Sequence, residues 1–261
     1  MKQPFLVVFR LNQVRKIPHF FLSISVLHKP GTYKDFQIAS LPESPAINEN
    51  GIVTRFVASR KNYLLIKRSF DILFSFLFIA FILSWLLPIV SVWIKLGSKG
   101  PVFFSQKRMG KNGRIFRCFK FRTMVINDEA DERQADENDD RITRAGRFLR
   151  KTNIDELPQL FNVLIGDMSF IGPRPHMLSD CIRFSFVVSS YNFRTLVKPG
   201  ITGLAQVKGF RGPAKDYESI VNRYRWDAIY INKAGLWLDI KIMGKTLAHC
   251  FNNITGGKKR A

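Results

Sequence analysis

Two adjacent carboxylates, Asp155 and Glu156, stand in KTNIDELPQLFNVLIGDMSFIGPRP (residues 151–175), within a chain carrying 41 Lys and Arg against 20 Asp and Glu. Arg150 precedes the pair, and Arg174 follows, bracketed by prolines. One such carboxylate can attack phosphorus while its neighbour holds Mg²⁺ against phosphate oxygens. An acid attacking a pyrophosphate needs cations nearby to offset repulsion, and Arg150 and Arg174 can supply them. A plainer role is also open: acids cap helices and complement the positive end of the helix dipole. Two further cations, Lys120 and Arg122, alternate with Phe119 and Phe121. On a strand they share a face that is either solvated or able to grip phosphate.

The elements that must position these groups can be read from pattern. Leu157, Leu160, Phe161 and Leu164 recur at helical spacing, and Gly166 marks the end of that helix. Pro158 can sit no deeper than the third helical residue, because only the first N–H groups lack an intrahelical partner. This places the N-cap at about Asp155, at a helix end that itself suits phosphate. VFFSQ and GRIFRCFKFRTM flank GKNG, a hairpin signal at Asn112-Gly113. Residues 128–140 hold eight acids and one arginine and read as a solvated loop. Arg141, Arg144, Arg147 and Arg150, spaced by three, form one basic stripe if helical.

The net charge of +21 and a pI near 10.3 point to an anionic partner: nucleic acid, an anionic membrane leaflet or a phosphorylated small molecule. Cys118, Cys181 and Cys250 are too scattered for a disulfide framework or a zinc site. The four histidines lack metal-ligand spacing. Residues 72–94, 23 in number, contain no charge and as a helix would extend roughly 35 Å, enough to cross a hydrocarbon core. Lys67 and Arg68 lie before the run, Lys95 and Lys99 after it. Basic residues at both ends favour a helix that enters and returns to one face, with Ser84 and Pro88 as the break, over a full crossing. Residues 1–62 read as an irregular basic extension, 63–96 as the membrane-inserted helix, 97–253 as the catalytic domain and 254–261 as a basic tail. The fold class expected from these elements and from the family resemblance that follows is α/β: a small mixed catalytic domain on a re-entrant helix, with amphipathic interfacial helices.

The run from KRSFDI through KGPVFFSQKRMGKNGRIFRCFKFRTM and the Asp-Glu segment to VKPGITGLAQVKG and WLDIKIM resembles the bacterial sugar transferase family. These are monotopic phosphoglycosyl transferases. The resemblance implies transfer of a hexose 1-phosphate from a UDP-sugar to undecaprenyl phosphate with release of UMP, as the first step of a polysaccharide or glycoconjugate. It implies Asp155 as covalent nucleophile, Glu156 as ligand of a Mg²⁺ cofactor, and Arg150, Arg174, Lys120 and Arg122 around phosphate. It places the chain on the cytoplasmic face of the bacterial inner membrane, with membrane lipids and no nucleic acid among its partners, and self-association left open. Departures are Trp85 after Ser84 where many members have proline, Leu204 where tryptophan is common, and the N-terminal extension. The rival is a non-catalytic, membrane-anchored basic scaffold, which gives the Asp-Glu and Gly-Pro-Arg-Pro segments no role. A second rival keeps the enzyme on a full transmembrane span.

Overall fold

The computed structural model describes residues 60–126, 139–214 and 216–255. The extension expected over 1–62 lies outside these up to residue 59, as do most of the acidic run and the tail from 256. The apolar run folds as α1 (Lys61–Phe78), a π-helical turn (Ile79–Leu83) and α2 (Ser84–Gly97). Together they make a 37-residue helical stretch with an 18-residue window of mean hydropathy 2.5, the one among the described residues long and apolar enough to cross a membrane. The backbone stays helical on both sides of the π turn (Phe78 φ −66°, ψ −39°; Ser84 φ −55°, ψ −40°), so no tight turn divides two limbs. The irregularity falls one turn before Pro88, which lies inside α2. Pro88 has no N–H to offer the carbonyl of Ser84, and a π turn and a proline are both recognised sources of a kink. The Ser84 hydroxyl is spent on Ala80 O at 2.6 Å.

The charged residues at the head of this helix do more than flank it. Lys67 Nζ lies 2.6 Å from Asp239 Oδ2. Arg68 donates to Val163 O (2.6 Å) and Leu164 O (2.9 Å), and buried Asp71 accepts from Ser169 Oγ and Phe170 N. At the far end Arg122 donates to the carbonyls of Ser98 and Lys99. Both ends are therefore tied to the same globular body. Between them Leu83, Val90 and Ile94 pack with Phe121 and Leu149, while Phe81, Trp85 and Leu96 are 71%, 76% and 82% exposed. An apolar surface of this extent is a membrane or partner face.

The expected hairpin forms: β1 (Phe103–Met109) pairs antiparallel with β2 (Ile115–Phe121), and Asn112 and Gly113 adopt positive φ at the turn. The alternation along β2 holds, but the Lys120 face is not the solvated one: Ile115 and Arg117, on the opposite face, are exposed. Phe121 joins the core beneath α2, while Phe116 and Cys118, on the Lys120 side, pack on Val163 and Met168. The second pair, β3 (Ser169–Ile171) and β4 (Gly200–Thr202), is parallel. A Cβ on Gly172 would stand 2.4 Å from Lys198 O, so the two chains cross there only because Gly172 has no side chain. Helix and strand are mixed as expected, but the strands form two separate pairs rather than one sheet. The last helix, Leu236–Thr255, exposes Trp237, Ile240, Leu247 and Phe251 at helical spacing, an outward apolar stripe of the kind an interfacial helix presents.

Candidate active site

Helix α3 (Arg144–Thr152) begins at Thr143, whose side chain accepts from Gly146 N at 2.9 Å, and stops at Asn153 in the left-handed conformation (φ 58°). The chain then makes a 3₁₀ turn over Ile154–Glu156 before α4 (Gln159–Ile165), whose N-cap is Pro158 and whose C-cap is Gly166 (φ 101°). Asp155 is thus not the N-cap expected from the spacing. The left-handed Asn153 and the 3₁₀ turn delay the helix by three residues, and neither acid caps it. Nor does a seven-residue helix stand behind the pair as a phosphate site. The buried side of α4 is also wider than the leucine stripe, taking in Gln159, Asn162 and Val163. Asn162 clamps β2, donating to Arg117 O (2.7 Å) and accepting from Phe119 N (2.9 Å). That clamp fixes Lys120 opposite the acid pair.

The basic stripe does not stay together. Successive three-residue steps on a helix drift by about 60°, so residues six apart face different sides. Arg144 and Arg147 are exposed, and Arg141 precedes the helix and pairs with Asp139 at 2.7 Å. Arg150 alone turns inward toward the acids, its Nε donating to Thr123 Oγ1 at 2.9 Å. Helix α3 can approach that threonine because of Gly146, where a Cβ would stand 1.9 Å from Thr123 O. The segment KFRTM therefore divides its work residue by residue. Lys120 meets Glu156, Phe121 enters the core, Arg122 holds the end of α2, and Thr123 orients Arg150. Arg122 directs its guanidinium at the backbone carbonyls of Ser98 and Lys99 while also bordering the cavity beside the acid pair.

Glu156 accepts from Lys120 Nζ at 2.7 Å and from Arg174 at 2.6 and 3.2 Å. Burial works to raise its pKa, but Arg174 and Lys120 overcome this and hold the carboxyl well below the usual range. Asp155 is 8% exposed, and its pKa is pushed up to about 6 by burial, with Glu156 adding and Lys120 and Arg150 opposing. Neighbours in sequence, the two acids have opposite electrostatics. Arg174 is set by its backbone: its carbonyl accepts from Arg194 Nη2 (2.6 Å), and Arg194 is in turn paired with Asp227 (2.8 Å). Next along that loop, buried His176 hydrogen-bonds Tyr191 through Nδ1, and burial and surrounding arginines hold it well below the ordinary histidine range.

All six residues singled out in the sequence border one cavity of about 580 Å³. Eight of its lining residues are basic (Arg108, Lys120, Arg122, Arg141, Arg150, Arg174, Arg211 and Arg223) and three acidic (Asp155, Glu156 and Asp180), a balance that suits a polyanion. Sequence reasoning missed Arg108, Arg211 and Arg223. Arg108 had a signal, the alternation along SQKRM; Arg211 had a weaker one, its place in GFRGP; Arg223 on the helix Tyr217–Lys233 had none. Among the described residues no group of three or more His, Cys, Asp or Glu could form a metal cage. A hard cation is still compatible with the donor set, since Mg²⁺ needs only one or two carboxylates when phosphates supply the rest, and Glu156 is held ionised beside the cavity.

The family model described as bacterial sugar transferase matches residues 62–253. A UDP-glucose:undecaprenyl-phosphate glucose-1-phosphate transferase of Klebsiella pneumoniae is 44% identical over 188 residues, 72% of this chain and 40% of its own length. A UDP-N-acetylgalactosamine-undecaprenyl-phosphate N-acetylgalactosaminephosphotransferase of Aeromonas hydrophila is 45% identical over 186 residues, 71% of this chain and 43% of its own. The chain spans about two-fifths of those relatives. By contrast it covers 98% of the exopolysaccharide production protein PSS of Rhizobium leguminosarum bv. phaseoli, at 41% identity over 200 residues. The chain belongs to the bacterial sugar transferase family.

Proposed function

We propose that the protein transfers a hexose 1-phosphate from a UDP-sugar to undecaprenyl phosphate, releasing UMP and initiating a polysaccharide or glycoconjugate. The observation that carries this reading is the division of labour between Asp155 and Glu156 inside one cationic cavity. A nucleophile should be ionised at neutral pH but not neutralised by a tight ion pair. Burial gives Asp155 a basic, poorly solvated carboxylate, and the tight ion pairs go to Glu156 instead. Asp155 Oδ attacks the donor's β-phosphorus, and the bond to the bridging oxygen breaks with its electron pair leaving on UMP. An oxygen of the acceptor phosphate then attacks the same phosphorus, and the acyl-phosphate bond returns its electrons to the Asp155 carboxylate. Arg150 and Arg174 hold the phosphates against repulsion, and Lys120 keeps Glu156 in place. Glu156 would hold the Mg²⁺, which would supply neutralisation of charge on phosphate oxygens.

The names of the relatives support a hexosyl donor and undecaprenyl phosphate as acceptor. The proposed membrane arrangement is re-entrant, on the cytoplasmic face of the inner membrane. Supporting it, a straight 37-residue helix would be about 55 Å long and would carry one end away from a body that binds both. UMP release from a panel of UDP-sugars, with and without undecaprenyl phosphate, tests the activity and distinguishes it from a non-catalytic basic scaffold. Single cysteines at Ser59 and Ser98, probed in intact cells with an impermeant thiol reagent, test the topology. Protection of both is expected; labelling of one alone from the periplasm means a true span.

A further inference from the structure

A second cavity, of about 210 Å³, lies on another side of the acid pair. Its walls are mostly apolar: Phe78 from the membrane helix, Leu157 and Leu160 beside the acids, Ile201 on β4, and Thr246 and Cys250 on the last helix. Two of these elements, the membrane helix and the last helix, carry the outward apolar faces described above. At its inner end the cavity shares Asn153, Glu156 and Arg211 with the cationic cavity. Arg211 is fixed by its Nε, which donates to Gln206 O at 3.1 Å, and its terminal nitrogens make no hydrogen bond among the described residues. An apolar passage thus leads from membrane-facing elements to a cation beside the reacting centre.

We infer that this passage holds the isoprenoid segment of a polyprenyl phosphate nearest its phosphate, with Arg211 on that phosphate. Donor and acceptor then reach the Asp155–Glu156 pair through two different cavities. The inference rests on the proposed transfer to a polyprenyl phosphate and adds the acceptor's place and a residue that positions it. Charge order favours this occupant, because the ligand's one anionic end belongs at Arg211 and its apolar chain toward Phe78. The narrow volume suits one chain better than the paired chains of a phospholipid.

Cys250 provides a native reporter, because Cys118 and Cys181 are buried and Cys250 is not. Purified full-length protein in nanodiscs is treated with N-ethylmaleimide, and alkylation of Cys250 is followed by mass spectrometry. Undecaprenyl phosphate at ten times its Kd should slow alkylation about tenfold, in proportion to the unoccupied fraction. UDP-glucose, and phosphatidic acid at the same mole fraction as the acceptor, should not. No protection by undecaprenyl phosphate, or equal protection by phosphatidic acid, overturns the inference. A second arm uses Cys250→Trp, which fills the passage. Its turnover at fixed acceptor should fall about tenfold, the loss expected of a crowded binding site, while a stoichiometric burst of UMP without acceptor persists. Loss of that burst in Cys250→Trp of unchanged melting temperature assigns the passage to the donor and overturns the inference. Absence of any UMP release by the wild type with every UDP-sugar sinks the proposed transfer itself, whatever the alkylation result.

Discussion

The acid pair and the polar cluster beneath the Gly-Pro-Arg-Pro loop are built from the same kinds of residue and behave differently. In the lower cluster Arg194 and Asp227 pair one to one at 2.8 Å, and the guanidinium also serves Tyr191 Oη and Arg174 O. Its charges are matched within the protein and face no cavity of size. Around Asp155 and Glu156 the cations outnumber the acids and look into about 580 Å³. A matched buried pair holds shape, since breaking it leaves a charge uncompensated. An unmatched set has its surplus available for a ligand, at a cost in stability. The two are coupled in series: Asp227 sets Arg194, Arg194 sets the backbone of Arg174, and Arg174 sets Glu156.

The largest effect should come from Asp155→Asn, with turnover down by about three orders of magnitude or more, because an amide does not replace a carboxylate nucleophile. Its stability should move the other way. The Asp155 pKa is raised from 3.8 to about 6, so the folded state binds the proton more tightly than the unfolded one. The ionised carboxylate then costs up to roughly 3 kcal/mol at neutral pH, a cost that fades as pH falls from 6 toward 4. Asp155→Asn should therefore melt higher than wild type at pH 7.5. A lower melting temperature would contradict the assignment of this acid to an unmatched site.

Asp227→Asn should do the reverse. Removing one charge of the matched pair leaves Arg194 buried and uncompensated, at a cost of about 3–5 kcal/mol by denaturant titration. If Asp227→Asn proves as stable as wild type, the contrast between the two regions fails. Arg174→Ala should cost about 100- to 1,000-fold in turnover, the scale of losing one preorganised charge donor. Its melting temperature should change much less than that of Asp227→Asn, because Lys120 still partners Glu156.

A smaller test is the pH profile. The acid limb of turnover should lie near pH 6, tenfold per unit below it, where the Asp155 carboxylate takes up its proton. A limb near pH 4 would mean that the nucleophile is not the acid whose pKa burial raises. Smallest of all should be the catalytic effect of Arg122→Gln. Its guanidinium caps the end of α2, so loss of those hydrogen bonds should cost about 1–3 kcal/mol in stability and leave the donor KM near wild type. A raised KM at unchanged stability would favour the phosphate role expected of Arg122 from sequence.

Local features were legible in the sequence because their causes are local. The Asn112-Gly113 turn, the apolar stretch of α1 and α2 and the helix end at Gly166 follow from backbone sterics and hydropathy over a few residues. The proximity of Arg150 and Arg174 to two acids in a basic chain was legible too, since charge needs an explanation wherever it accumulates. What the sequence could not assign was the partner of each charge. Lys67 and Arg68 read as membrane flanks, yet they pin the helix to Asp239 and to the carbonyl end of α4. Four evenly spaced arginines read as one stripe, yet Arg144 and Arg147 are exposed while Arg141 and Arg150 border the cavity of the acids. Arg108, Arg211 and Arg223 come to the cavity from three separate parts of the chain. Whether an acid is a cap, a matched partner or a raised-pKa nucleophile depends on burial and on charges distant in sequence, and Coulomb interaction follows separation in space. The sequence alone determined that Asp155 and Glu156 would stand together. The opposite environments that set them apart arise only when β2, α3 and the Gly-Pro-Arg-Pro loop close around them.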